Sequence, residues 1–148
     1  MKIEISNRQR TARIDAKALK ELARRLSALS GVNLDAVSLI LVDDAGIAPI
    51  NSAAVGHEGA TDVITLSYPA IPGDEEGDSA EIILNVERAV SQCPESPSRE
   101  LAYYLAHAFD HLAGRDDATP KERTSMHRRE RRWLAQLDNT SIIGKIIF

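Results

Sequence analysis

HAFDHLAGRDD, residues 107–117, sets two of the chain's four histidines four positions apart. A glycine follows three residues after the second, and two aspartates come just beyond it. On an α-helix, residues four apart share a face, with Cβ atoms roughly 5–6 Å from each other. His107 and His111 can therefore aim an imidazole nitrogen at one ion, at about 2.0–2.1 Å. Two ligands hold a metal weakly, so a third has to return from beyond the helix end. Gly114 can take the left-handed conformation that stops a helix without strain. The chain can then bring Asp116 or Asp117 back toward the pair. With Asp117 in the last position the pattern is H-x3-H-x2-G-x2-D. The same spacing also fits an ordinary helix end that carries half-exposed histidines.

The frame is the one in which metzincin proteases place three zinc histidines. Those enzymes need a glutamate directly after the first histidine as general base. Ala108 stands there, which argues against a metalloprotease. Asp110 is the nearest acid inside the motif, about 60° around the helix from His107. It is a candidate for orienting a ligand or contacting a substrate, unless it simply faces water.

Outward from the motif, RELAYYLAHAFDHLAG (99–114) reads as a helix whose apolar stripe is Leu101, Leu105, Ala108 and Leu112. Ser96 or Ser98, in the linker SQCPESPS, is placed to cap it. A last helix follows over 119–137, with Thr119 as N-cap, Pro120 at its first turn and Glu122 three residues on. It is polar until Trp133, Leu134 and Leu137, and His127 falls in that polar part and is expected to face water. The apolar tail SIIGKIIF packs as a strand or meets a partner. Toward the N-terminus, KIEI (2–5) alternates like a strand. Asp15 caps a helix that Gly31 ends, and AVSLILVDD (36–44) reads as a buried strand. Residues 45–56 read as a short helix and then a loop. DVITLSYP (62–69) is a strand stopped by Pro69, and AEIILNVERAV (80–90) begins as a strand and turns helical near Val86. Strands and helices mix without a strict βαβ rhythm. The expected class is α+β, a single domain over 1–148 with a small mixed sheet of about four strands packed by helices.

Bulk composition narrows the function. A hydrophobic fraction of 43% and a charged fraction of 27% suit a soluble globular domain. No apolar run approaches the roughly 20 residues a membrane span needs, and MKIEISNRQRTARID lacks the apolar core of a signal peptide. With one cysteine, Cys93, there is no internal disulfide and no cysteine-rich metal site. These features point to the cytoplasm and away from membranes. The net charge of −4 argues against coating nucleic acid by charge alone. Local basic clusters remain, above all Arg128, Arg129, Arg131 and Arg132, which serve either as a solvated helix face or as contacts to a nucleic-acid backbone.

These pieces, in this order, resemble the YbeY family of bacterial rRNA maturation factors and endoribonucleases. The family hallmark is close to H-G-x-L-H-L-x-G-Y-D-H, matched here by His107, His111, Leu112, Gly114 and Asp116 without a gap. TDVITLSYP (61–69) is similar to the family's T-D-V-L-S-F-P, with one extra residue between Val63 and Ser67. AEIILNVERA (80–89) is similar to G-D-I-x-I-S-x-E-x-A. Asn51 and Gly56 fit the family's L-N-x-x-Y-R-G stretch. The likeness runs over roughly residues 36–137.

The resemblance implies a zinc-dependent endoribonuclease in ribosome biogenesis, in which metal-activated water attacks an RNA phosphodiester. Its partners would be rRNA and the ribosome or a ribosomal protein. The metal ligands would be His107, His111 and Asp117, and Arg128, Arg129, Arg131 and Arg132 would bind substrate. Two departures bear on the chemistry. The family's third zinc histidine aligns with Asp117, and its proposed catalytic arginine aligns with Val55. A carboxylate remains an ordinary zinc ligand, but it lowers the net site charge from about +2 to about +1 and widens the choice toward Fe(II) or Mn(II). His57, two residues beyond Val55, is the candidate replacement for the missing cation. The alternatives are a catalytically impaired member that binds the ribosome or RNA, and a metal-dependent hydrolase of another substrate.

Overall fold

The computed structural model describes residues 1–148, the side chain of Val55 excepted. Its elements are β1 (Lys2–Asn7), α1 (Ala16–Ser30), β2 (Ala36–Val42), α2 (Asp44–Ile50), β3 (Val63–Tyr68), β4 (Ser79–Asn85), α3 (Val86–Gln92), α4 (Pro97–Leu112) and α5 (Pro120–Leu137). A π-helical turn, Asn51–Val55, continues α2, and two 3₁₀ turns, Asp138–Thr140 and Ile143–Lys145, follow α5. The four strands form one sheet in the order β1-β2-β4-β3. β2 runs parallel to both β1 and β4, and β3 is antiparallel to β4 at the edge. The mixed four-stranded α+β architecture is therefore the expected one.

The central strands are buried on both faces toward their C-terminal ends, which is why Leu39 to Val42 and Ile82 to Leu84 read as apolar runs. Val37, Leu39 and Leu41 of β2, with Ala80, Ile82 and Leu84 of β4, point into the main core beside α1, α4 and α5. Ile40, Val42 and Ile83 point the other way, into a smaller cluster closed by Ile47 of α2 and Ile64 of β3. In α1, Leu19, Leu22 and Leu26 are fully buried, each contributing roughly 1.5–3 kcal/mol of burial. Asp15 Oδ1 accepts the Ala18 N–H at 3.0 Å, and Gly31 ends the helix at φ 77°.

Helix boundaries move where caps behave differently from expectation. α4 starts at Pro97, and the Ser96 side chain makes no capping bond. The Ser98 hydroxyl instead takes the N–H of Ile147 at 2.9 Å. The helix stops at Leu112 rather than Gly114, and Gly114, at φ 92°, turns the chain just beyond it. α5 is buried earlier than expected, because Met126 and Glu130 turn inward well before Trp133. The apolar tail folds onto its own chain: Ile14 and Ile147 form an antiparallel bridge, and Ile143 and Ile146 are buried in the main core. Among the described residues, no helix is long and apolar enough to cross a membrane.

Candidate metal centre

α4 presents both motif histidines on the face that meets the edge strand β3, and the turn at Gly114 brings the chain back. Three ligand atoms converge there. His107 Nε2 and His111 Nε2 lie 3.1 Å apart, and Asp117 Oδ2 lies 3.5 Å from the first and 3.6 Å from the second. An ion with bonds of about 2.0–2.1 Å and tetrahedral angles needs ligand-to-ligand edges of about 3.3 Å. His107, His111 and Asp117 are 22%, 31% and 38% exposed at their side chains, so the triangle opens to solvent on one side. Asp116, the other acid that could have returned, accepts the Asp117 N–H with its own carboxylate at 2.8 Å.

Each histidine is oriented from behind. His107 Nδ1 faces both carboxylate oxygens of the fully buried Glu130, at 3.0 and 3.3 Å. His111 Nδ1 faces the Arg115 carbonyl at 3.1 Å. An acceptor at each Nδ1 puts the proton there and leaves both Nε2 lone pairs turned toward each other and toward the Asp117 carboxylate. Two lone pairs and an anion within 4.8 Å of one another can hold a cation between them. The donor set thus fits a divalent transition metal.

Electrostatics set a proton in competition with the ion at this site. Burial, the largest single influence, pulls the His107 imidazole down, but the Glu130 hydrogen bond and the charges of Glu130 and Asp117 outweigh it and hold it above the ordinary histidine value. The Glu130 carboxyl is pushed up, by burial first and by neighbouring Asp110, against the pull of His107.

The triangle lies in a cleft of about 730 Å³, whose walls include Asn51, His57, Thr61, Asp62, Thr65 and Ser67. The π turn sets the far wall. The Asn51 side chain donates to the Gly59 carbonyl at 3.0 Å and its own carbonyl accepts the N–H groups of Gly56 and His57, stapling the loop that carries His57. Such turns concentrate at functional sites. The near wall depends on the buried Asn85. Its side chain donates to the Thr61 carbonyl and to Asp44 and accepts the Arg88 N–H, tying the start of β3 to α2 and α3.

The other residues singled out from sequence fare differently. His57 does line the cleft. Asp110 does not face water or the cleft: it is fully buried, and its Oδ1 accepts from Arg115 at 3.0 Å and Arg129 at 2.8 Å. Its inward position reflects the packing of α5 against that side of α4. Arg129 is thereby committed to the interior rather than to substrate, while Arg128, Arg131 and Arg132 are exposed. None of the four lines the cleft among the described residues. His127 stacks on Tyr103 and hydrogen-bonds its hydroxyl instead of facing water, and burial, with the Glu130 charge, pushes that hydroxyl up to about 12. The side chain of Val55 lies outside the described residues.

Glu130, Asp62 and Arg115 were missed from sequence. For Glu130 a signal existed. Met126, Trp133 and Leu137 mark an inward stripe on α5, and Glu130 falls on it.

Comparison with known proteins accords with the geometry. The family model described as Endoribonuclease YbeY matches residues 4–138. The chain belongs to the YbeY endoribonuclease family. Among relatives, the YbeY endoribonuclease of Symbiobacterium thermophilum is 35% identical over 133 residues, covering 80% of this chain and 84% of its own. That of Moorella thermoacetica is 35% identical over 150 residues, covering 91% and 96%. The Rhodopirellula baltica YbeY is 34% identical over 117 residues, or 76% of this chain, which spans only 59% of that longer protein. The solution structure of TM1509 from Thermotoga maritima shares the fold, with a TM-score of 0.57 at 22% identity over 95% of this chain and 88% of that one.

Proposed function

We propose that this YbeY-family protein is a divalent-metal-dependent endoribonuclease acting in rRNA maturation, with zinc as the ion and Fe(II) or Mn(II) as substitutes. The observation that carries this reading is the Nε2, Nε2, Oδ2 triangle with both Nδ1 atoms tied from behind. His107, His111 and Asp117 would hold the ion. When bound, such an ion supplies Lewis-acid chemistry for water and phosphate.

The chain's own groups divide the remaining work. Asp62 is an exposed carboxylate on the cleft wall, suited to take a proton from an attacking water. His57, on the opposite loop, donates a hydrogen bond to a phosphoryl oxygen or a proton to the leaving oxygen. Charge on the phosphate also wants a cation. Arg88 and Arg123 reach backbone carbonyls at the rim, Ala60 at 3.5 Å and Asp117 at 3.3 Å. They, rather than His57, would supply the cation that the resemblance puts at Val55, from outside the lining of the cleft. Arg128, Arg131 and Arg132, outside the cleft, position flanking RNA through phosphate contacts.

A second reading has an observation in its favour. No arginine lines the cleft among the described residues, which suits a non-catalytic member that binds the ribosome or a ribosomal protein. One experiment separates the two. A structured rRNA fragment is incubated with wild type and with His111→Ala, with and without Zn2+. Zn2+-dependent cleavage lost in the variant supports the endoribonuclease. Tight ribosome binding without cleavage by wild type overturns it in favour of the binding member.

A further inference from the structure

Asp110 is a charged residue inside the helix that carries both histidines, yet it touches neither the cleft nor water. Its Oδ1 accepts from Arg115 Nη1 and Arg129 Nε, and its Oδ2 is buried with no hydrogen-bond partner. Burying charges in this way seldom adds net stability, since an apolar group of similar shape often does as well. Its use lies in what the two arginines are attached to.

Arg115 is the residue whose carbonyl receives His111 Nδ1. Its guanidinium, besides holding Asp110, donates to the Ser30 carbonyl at the end of α1 and lies 5.8 Å over the Trp133 ring. The backbone of the turn after α4 is thus pinned by a side chain anchored at three points. Arg129 immediately precedes Glu130, the acceptor for His107 Nδ1. Anchoring Arg129 on α4 fixes the rotation of α5 at the position where Glu130 meets His107. One carboxylate therefore ties down both groups that orient the histidines.

We propose that Asp110, acting through Arg115 and Arg129, is a positioning residue that sets the tautomer and direction of both metal-ligand histidines. The proposal rests on the metal-site reading above and adds a role for residues that never touch the ion.

The test uses the full chain. Asp110→Asn keeps the shape and removes the charge. Arg115→Met keeps the backbone carbonyl and releases the anchor, and Arg115→Lys restores part of it. Ile146→Ala, a buried tail residue away from the cleft, serves as a control for lost stability alone. Zn2+ affinity is measured by competition with a chromophoric chelator. Histidine side-chain 15N shifts of the metal-free protein report the tautomers. Asp110→Asn and Arg115→Met are expected to weaken Zn2+ binding by about 10–100-fold, the usual range for partners behind a ligand. In both, the His107 and His111 signals should move from the pure Nδ1–H pattern toward mixed tautomers. Arg115→Lys should recover part of both effects, and Ile146→Ala should show neither. If Asp110→Asn fails to fold, Arg115→Met carries the same comparison. Wild-type affinity and an unchanged tautomer pattern in Arg115→Met would overturn the proposal. Should wild type itself bind no Zn2+, the metal reading fails, and the 15N arm still decides whether Asp110 orients the rings.

Discussion

The pairing of His107 with buried Glu130 has a consequence for pH. The imidazole holds its proton to a higher pH than an ordinary histidine. The pairing therefore stabilises the metal-free fold fully below the unfolded histidine value near 6.5, and that stabilisation is lost as pH rises through the higher folded value. A metal has to displace the same proton. Zn2+ affinity should thus fall on acidification with a midpoint above the ordinary histidine value. In Glu130→Gln the midpoint should move down, because burial then prevails over what remains of the opposing charge. Isothermal titration across the pH range checks this, and a midpoint that stays put would refute the role of Glu130. At this scale the sequence was informative wherever partners are close in the chain. The pairing of His107 with His111 follows from helical spacing, and one glycine leaves Asp116 or Asp117 to return beside it. The Glu130–His107 and Asp110–Arg129 pairs do not, because the partners lie on another helix, 23 and 19 residues away. Only the packing of α5 on α4 makes those pairs.

Among the elements, the turn after α4 brings the Asp117 carboxylate beside the two histidines. Gly114 sits at φ 92°, and a Cβ there would meet nothing within 4 Å. The penalty of Gly114→Ala is therefore one of backbone strain alone, about 1–2 kcal/mol. For a chain of this size that lowers Tm by roughly 2–8 °C. If the turn relaxes to relieve the strain, Asp117 swings away and Zn2+ binding weakens with it. Thermal denaturation and chelator competition on the same variant check both effects. Strand and helix identities were legible because each has its own periodicity and caps: Asp15 and Gly31 around α1, Thr119 and Pro120 ahead of α5. Two features were not. The π winding of Asn51–Val55 leaves no periodic mark over five residues, and the early end of α4 depends on Gly114 acting one residue beyond the cap.

For the molecule as a whole, the tail is part of the core. Ile146 is fully buried, its carbonyl takes the Asp15 N–H at 2.8 Å, and Phe148 N–H reaches the Arg13 carbonyl at 3.1 Å. Ile146→Ala removes buried methyl groups at a cost of about 2–5 kcal/mol, or roughly 4–20 °C in Tm. A melting curve that matches wild type would show the tail to be dispensable. The sheet's mixed class could be read from the scattered order of strands and helices. The strand order β1-β2-β4-β3 could not, since β2 and β4 each carry a central apolar run and either could pair with β3 by pattern alone.

The π turn makes the loop that follows sensitive to chain length. Asn51–Val55 winds more loosely than an α-helix, and the next residues inherit that phase. Deleting one residue from 52–54 would let the backbone resume ordinary winding, and the Gly56 and His57 N–H groups would lose their shared acceptor on Asn51. The Asn51 clasp on Gly59 would then close on a different atom, and His57 would swing out of the opening it now borders. The length of this segment acts as a ruler, so insertions and deletions here should be tolerated far less than substitutions of the exposed Ser52, Ala53 or Ala54.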